Sequence, residues 1–186
     1  VEFAPNSNLQ IIESNAFADS NIEEIYIPSN VSKICKRAFS CCSNLTKVEF
    51  APNSNLQIIE SSAFADSKIE EVFIPPNVSK IYENVFYSCR NLKKVEIPPN
   101  NNLQTIESFA FSFTKIDVIK IPSKLSKIYN GTFADCHYLN KVEIEPNSIL
   151  QTFEEGSFYN TKIKYICIPS SVSKISDSAF IYCPYL

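Results

Sequence analysis

The chain has 186 residues, 45% of them hydrophobic, with a formal net charge of −3. That length supports a sizeable core, and so mild a charge argues against an electrostatic nucleic-acid footprint. No apolar run approaches the ~20 residues a membrane-spanning helix needs, and no signal peptide is visible.

The first predicted element is Val1-Glu2-Phe3, an apolar–x–apolar run stopped by Pro5. Leu9, Ile12 and Phe17 follow it as apolar anchors. This whole segment then returns: residues 1–20 recur at 48–67 with only Asn15 replaced, by Ser62. The full period is 47 residues, divided into half-units of 24 and 23. Strand starts therefore fall at Val1, Ile25, Val48, Val72, Val95, Ile119, Val142 and Ile166. A proline follows each run, at Pro5, Pro28, Pro52, Pro75, Pro99, Pro122, Pro146 and Pro169. Lacking an amide, proline ends each strand after about three or four residues.

An apolar residue three before each internal start, as in Leu45-x-x-Val48-x-Phe50, completes a leucine-rich-repeat signature. Eight phenylalanines share one phase: Phe17, Phe39, Phe64, Phe86, Phe111, Phe133, Phe158 and Phe180. They should stack as an internal column, because paired strands of neighbouring coils lie about 4.8 Å apart. The segments around them, such as Glu13–Ser20, are too short for more than one helical turn. With two glycines in the chain, left-handed turns are expected at Asn6, Asn30, Asn53, Asn77 and Asn100. The fold class is a leucine-rich-repeat solenoid of eight coils, with short parallel strands and single helical turns. Residues 1–186 form one array, read as an uncapped window on a longer one.

The run from Ile27-Pro28 through Val31, Ile34 and Ala38-Phe39 to Cys42 and Leu45 recurs every 47 residues. It resembles the BspA-like, or treponemal-type, leucine-rich repeats. Val85 and Thr132 replace the alanine in two copies, and glycine is scarce where many relatives carry it before the Ala-Phe pair. The resemblance implies a curved solenoid with a parallel sheet on its inner face. It also implies a surface or secreted protein that adheres to host or matrix proteins.

Seven cysteines do not make a disulfide framework. Cys42, Cys89, Cys136 and Cys183 recur at 47 residues, so they should stack on every second coil, about 9.6 Å apart. A disulfide needs Cα atoms within about 7 Å. These four read as small buried hydrophobes. Cys35, Cys41 and Cys167 are unmatched, and Cys167 takes an outward strand position where a thiol can react. No metal site or cofactor is expected, since no Cys-x-x-Cys pair exists and His137 is the sole histidine. No catalytic constellation appears either, so the chain does not read as an enzyme.

Strand alternation turns two columns outward on the inner sheet face. One is Glu24, Lys47, Glu71, Lys94, Val118, Lys141 and Tyr165; the other is Glu2, Tyr26, Glu49, Phe73, Glu96, Lys120, Glu143 and Cys167. Lateral neighbours alternate in sign from Glu24 to Lys94, which favours the in-register stack. The candidate binding residues are Tyr26, Phe73 and Tyr165, framed by Glu24, Lys47, Glu49, Glu71, Lys94, Glu96, Lys120 and Lys141, because aromatics set among charges resemble interaction hot spots. The face measures on the order of 600 Å², below the ~800 Å² per partner of a standard interface. Tight binding would thus need flanks, a longer array or multivalent display. A protein partner is expected, with no nucleic acid and no membrane span. An intracellular scaffold and a ligand-free spacer are the alternative readings. Sequons at Asn30, Asn44, Asn77 and Asn130 permit a secreted protein without arguing for one. Val1–Phe3 as a bare edge strand, with Leu186 against an unfilled coil, points to end-to-end self-association.

Overall fold

The computed structural model describes residues 1–4 and 7–186. Among the described residues, fourteen short strands follow one another. They are β1 (Ile11–Ile12), β2 (Glu24–Ile27), β3 (Lys33–Ile34), β4 (Lys47–Phe50), β5 (Ile58–Ile59), β6 (Glu71–Phe73) and β7 (Lys80–Ile81), then β8 (Lys94–Glu96), β9 (Thr105–Ile106), β10 (Val118–Ile121), β11 (Lys127–Ile128), β12 (Lys141–Ile144), β13 (Thr152–Phe153) and β14 (Lys174–Ile175). All pairing is parallel, and every bonded neighbour lies in the next coil. A first ladder joins β2-β4-β6-β8 and then β10-β12; a second joins β1-β3-β5-β7-β9 and then β11-β13-β14.

Six of the eight expected strand runs form in the first ladder. Val1–Phe3 does not become a strand, and the run at Ile166 shrinks to a single bridge between Lys141 and Tyr165. The expectations for Pro5 and Asn6 lie outside the described residues. The second ladder passes through the apolar anchors Ile12, Ile34 and Ile59, where strands were not expected.

Between the ladders runs the phenylalanine column, numbering the coils 1 to 8 from Phe17 to Phe180. Successive rings stack at 5.2–5.6 Å between centroids and within 10° of parallel. Leu, Ile and Val from both ladders bury against it in one continuous core. Buried area in such a coil lies mostly against its neighbours, so stability is shared down the array.

The column is closed off by a third wall of turns, and the single helical turns do not form there. The residues two before and two after each phenylalanine are left-handed, from Asn15 and Asp19 (φ 59° and 58°) to Ser178 and Tyr182 (φ 59° and 58°). A left-handed residue every fourth position rotates its peptide out of the helical hydrogen-bond direction. Those amides bond to the neighbouring coil instead. Asn15, Phe17 and Asp19 donate to the carbonyls of Lys36, Ala38 and Ser40 at 3.1, 2.8 and 2.9 Å. The same triplet repeats at each step to coil 7, and the last step keeps two of the three bonds. The left-handed turns are accordingly not at Asn30, Asn53, Asn77 and Asn100, none of which has positive φ. Asn30 and Asn77 instead donate side-chain amides to Ser7 and Ser54 of the preceding coil, both at 2.9 Å.

Cys42, Cys89 and Cys136 are fully buried, and all seven cysteines are unpaired thiols. They do more than fill space. Each donates Sγ–H to the carbonyl of the phenylalanine one coil earlier, Phe17, Phe64 or Phe111, at 3.1–3.2 Å. Each also meets a hydroxyl of Ser20, Ser67 or Thr114. Burial pushes the Cys89 thiol up to about 12 and the Cys136 thiol up to about 11.

Both ladders are interrupted at one place, between coils 5 and 6. The Val118 amide bonds to the Asp117 carboxylate at 2.8 Å. The Lys124 ammonium reaches across to the Asn101 carbonyl at 2.8 Å. The turn wall runs through this seam without a break, with Phe109, Phe111 and Phe113 each donating to coil 6 at 3.0 Å.

Candidate functional site

The outward face of the first ladder carries the two expected columns in the expected register. Glu24 sits opposite Lys47, Lys47 opposite Glu71, and Glu71 opposite Lys94; Tyr26 sits opposite Glu49, and Phe73 opposite Glu96. The intervening residues Ile25, Val48, Val72, Val95, Ile119 and Val142 turn into the core. Period-two alternation thus produces the face: Tyr26, Phe73 and Tyr165 stand 47%, 43% and 71% exposed.

The charges close differently from the lateral ladder read in the sequence. Lys47 pairs with Glu49 at 2.7 Å, Lys94 with Glu96 at 3.4 Å, and Lys141 with Glu143, each within its own strand. Only Lys120 reaches a different strand's loop, meeting Glu145 at 3.2 Å. The lysine chain is long enough to lie along its own strand, where the residue two positions on shares the same face. The lateral carboxylate then acts at longer range: hydrogen bonding to Glu49 raises the Lys47 ammonium above its ordinary value, and Glu24 adds a smaller push. In the other direction, hydrogen bonding to Lys141 holds the Glu143 carboxyl below the usual range.

Coils 3, 5 and 7 are therefore internally neutralised bars of lysine and glutamate. Coils 2 and 4 present Glu24 with Tyr26 and Glu71 with Phe73, and among the described residues neither glutamate is in an ion pair. A shallow cavity of about 200 Å³ lies between these bars, lined by Lys47, Glu49, Glu71, Phe73, Lys94 and Glu96. Coil 8 adds Tyr165 and the exposed thiol Cys167.

The second ladder has its own charge pattern, which the sequence reading missed. Lys33 meets Glu60 at 2.7 Å, Lys80 meets Glu107 at 2.7 Å, and Lys127 meets Glu154 at 3.4 Å. Glu60 and Glu107 also accept the backbone amides of Lys36 and Glu83. These carboxylates tie adjacent coils together and are occupied by the scaffold. Recurrence of Lys33 and Glu60 at 47 residues was the available signal. Among the described residues, no group of three or more His, Cys, Asp or Glu is placed to hold a metal ion, and no helix is long and apolar enough to cross a membrane. His137 is exposed, beside the buried and hydrogen-bonded Cys136.

The stacked phenylalanines, the parallel ladders and the 47-residue period all belong to one known type of repeat. Six copies of the BspA type leucine rich repeat region match residues 1–93 and 57–186. The chain belongs to that family. No curated protein matches it. Among solved structures, the T. pallidum leucine rich repeat protein TpLRR is 22% identical with a TM-score of 0.74, and the match covers 96% of this chain and 72% of that one. A leucine rich cell surface protein from Faecalibacterium prausnitzii is 24% identical with a TM-score of 0.67, over 96% of this chain and 41% of its own length. The pneumococcal vaccine antigen PcpA is 19% identical with a TM-score of 0.51, over 96% and 66%. This BspA-type chain thus spans less than half of the F. prausnitzii protein, and at these identities the likeness is one of fold. Solenoids of this family are typically non-catalytic.

Proposed function

We propose that this BspA-type array is a protein-binding segment of a surface adhesin, contacting a host or matrix protein through the outward face of its first ladder. The observation that carries the reading is the exposure of Tyr26 and Phe73 on one four-stranded sheet, and of Tyr165 on a bridge further along the same face, beside Lys–Glu pairs neutralised within their own strands. Large aromatics contribute much of the energy in protein interfaces, and charges already paired cost less to bring under a partner. The cell-surface description of the F. prausnitzii relative and the antigen description of PcpA support the location. Glu24, Glu71, Lys120 and the three paired lysines form the rim.

The test is binding of the whole chain to extracellular-matrix proteins and host-cell surfaces, beside a variant with Tyr26, Phe73 and Tyr165 changed to serine. Binding lost in the variant, with an unchanged thermal midpoint, is the expected result. Equal binding by both would move the site off this face. No binding by either would favour the spacer.

A further inference from the structure

The repeat supplies an internal standard, and coil 5 departs from it on the turn wall by placing aromatic residues at both left-handed positions, where coil 8 has one, Tyr182. Coil 1 reads Asn15-Ala16-Phe17-Ala18-Asp19 and coil 3 reads Ser62-Ala63-Phe64-Ala65-Asp66; coil 5 reads Phe109-Ala110-Phe111-Ser112-Phe113. Both new phenylalanines occupy left-handed positions, φ 56° and 59°. Bulky side chains adopt that conformation at a cost, and such outliers concentrate at binding and active sites. The rest of the wall accommodates them. A Cβ at Gly131, the equivalent position in coil 6, would fall inside the edge of the Phe109 ring, so glycine there is what lets the ring lie against the next coil. Phe113 is 37% exposed and packs edge-on to Tyr87 at 5.5 Å and 76°.

Beside these rings an open groove of about 640 Å³ runs along the turn wall from coil 2 to coil 5. Tyr87 and Phe109 line one end, with Arg37, Asp66 and Asn84 along it. Among the described residues, the side chains of those last three enter no ion pair and no intramolecular hydrogen bond. The lining charges balance, Lys36 and Arg37 against Asp66 and Glu83. The groove thus offers aromatic surface and unengaged planar polar groups without net charge. Its volume falls in the ~300–1,000 Å³ range of small-ligand sites.

We propose that this groove is a second binding site, separate from the first-ladder face, and that it takes a neutral oligosaccharide. A pyranose ring has an apolar C–H face to lay on Tyr87 or Phe109, and hydroxyls that both donate and accept. Asp66 accepts two such donors, Arg37 donates a fork of N–H groups, and Asn84 does both. An anionic or cationic ligand would meet like and opposite charges in equal number. The groove is open to solvent, so single-site binding is weak and gains from repeated display.

The experiment screens the intact chain on a printed array of neutral glycans, then titrates the hits by calorimetry. The variant Phe109→Ser with Phe113→Asp restores the residues that coil 3 carries. It gives up the Phe109 contact with coil 6 and the Phe113 contact with Tyr87, so its thermal midpoint should fall by a few degrees, and affinity is read well below that midpoint with circular dichroism showing the folded array. Its affinity for the hit should drop about tenfold or more. A chain with Tyr26→Ser and Phe73→Ser should bind that glycan as before, which separates this site from the first-ladder face. Three results would overturn the proposal: no neutral glycan bound at millimolar concentration, affinity in the restored variant within about twofold, or a variant-sensitive response confined to acidic glycans or to a polypeptide.

Discussion

Gly131→Ala and Gly156→Ala are the same chemical change at the same repeat position, and they should cost different amounts. Both glycines are left-handed, at φ 58° and 60°. Alanine in that region costs about 1–2 kcal/mol, offset by about 0.4–1 kcal/mol from the lower entropy of the unfolded chain. At Gly156 nothing else opposes the methyl, whose nearest neighbour is Tyr159 Cβ at 3.7 Å. A net loss of about 1 kcal/mol follows, about 2–4 °C for a chain of this size. At Gly131 the methyl would overlap Phe109 Cε1 and Cδ1 and sit 3.1 Å from Cζ. The ring must swing into solvent, forfeiting about a further 1–2 kcal/mol of burial. Urea unfolding followed by circular dichroism would measure both at unchanged m-value. Measured against Phe109→Ser alone, Gly131→Ala should cost no more than Gly156→Ala does. Equal costs for the two glycine variants, or no rescue by Phe109→Ser, would refute the assignment of glycine's role to that ring.

The buried thiols make stability fall with alkaline pH. Their folded values are raised to about 12 for Cys89 and about 11 for Cys136, above the ordinary 9.0. Their contribution is therefore complete below pH 9 and is lost as pH rises toward those values. At pH 10 each should cost about 1.4 kcal/mol, and a Cys89→Ala, Cys136→Ala variant should flatten the pH dependence of the urea midpoint between pH 8 and 10. Thiol titration of the native chain should label Cys167 quickly and spare Cys42, Cys89 and Cys136 until the array unfolds. In carboxyl NMR titrations, Glu143 should ionise below the usual range and return toward it in Lys141→Ala, with no measurable change in thermal midpoint. Native-state hydrogen exchange should be faster at Lys120 than at Glu49: both amides face the preceding coil, where β8 gives Lys120 no strand partner and β2 pairs with the strand of Glu49; equal protection would deny the seam.

What the sequence showed depended on how strongly a residue type is tied to its environment. Ile25-x-Ile27-Pro28 is readable because alternation and proline act locally, and all eight column phenylalanines are readable because an apolar residue in constant phase has nowhere to go but inward. The outward face follows from the same alternation, which is why Tyr26, Phe73 and Tyr165 were found exposed. The two-residue strands such as Lys33–Ile34 were missed because two residues carry no period. The left-handed positions were missed because Arg37, Cys41 and Phe109 have no preference for them; hydrogen bonds from the neighbouring coil impose the conformation. Asparagine was an incomplete marker: Asn15, Asn84, Asn147 and Asn160 are left-handed, whereas Asn30 and Asn77 are spent on bridges to the preceding coil. Ion pairing within rather than between strands depends on side-chain reach, which register alone does not specify.

The turn wall has one more consequence. Its coil-to-coil bonds all run one way, with N–H of one coil to C=O of the next, whereas a strand in a ladder offers both groups to each side. Peptide dipoles therefore add along the length of the array instead of cancelling, as they do along a helix axis. Two arrays brought together through this wall in opposed orientation would set carbonyls against carbonyls or amides against amides. Only a head-to-tail junction matches donors to acceptors, and such a junction does not close on itself. The fold thus carries a direction in its backbone: contacts made through the exposed ends of this wall build lines, not symmetric pairs.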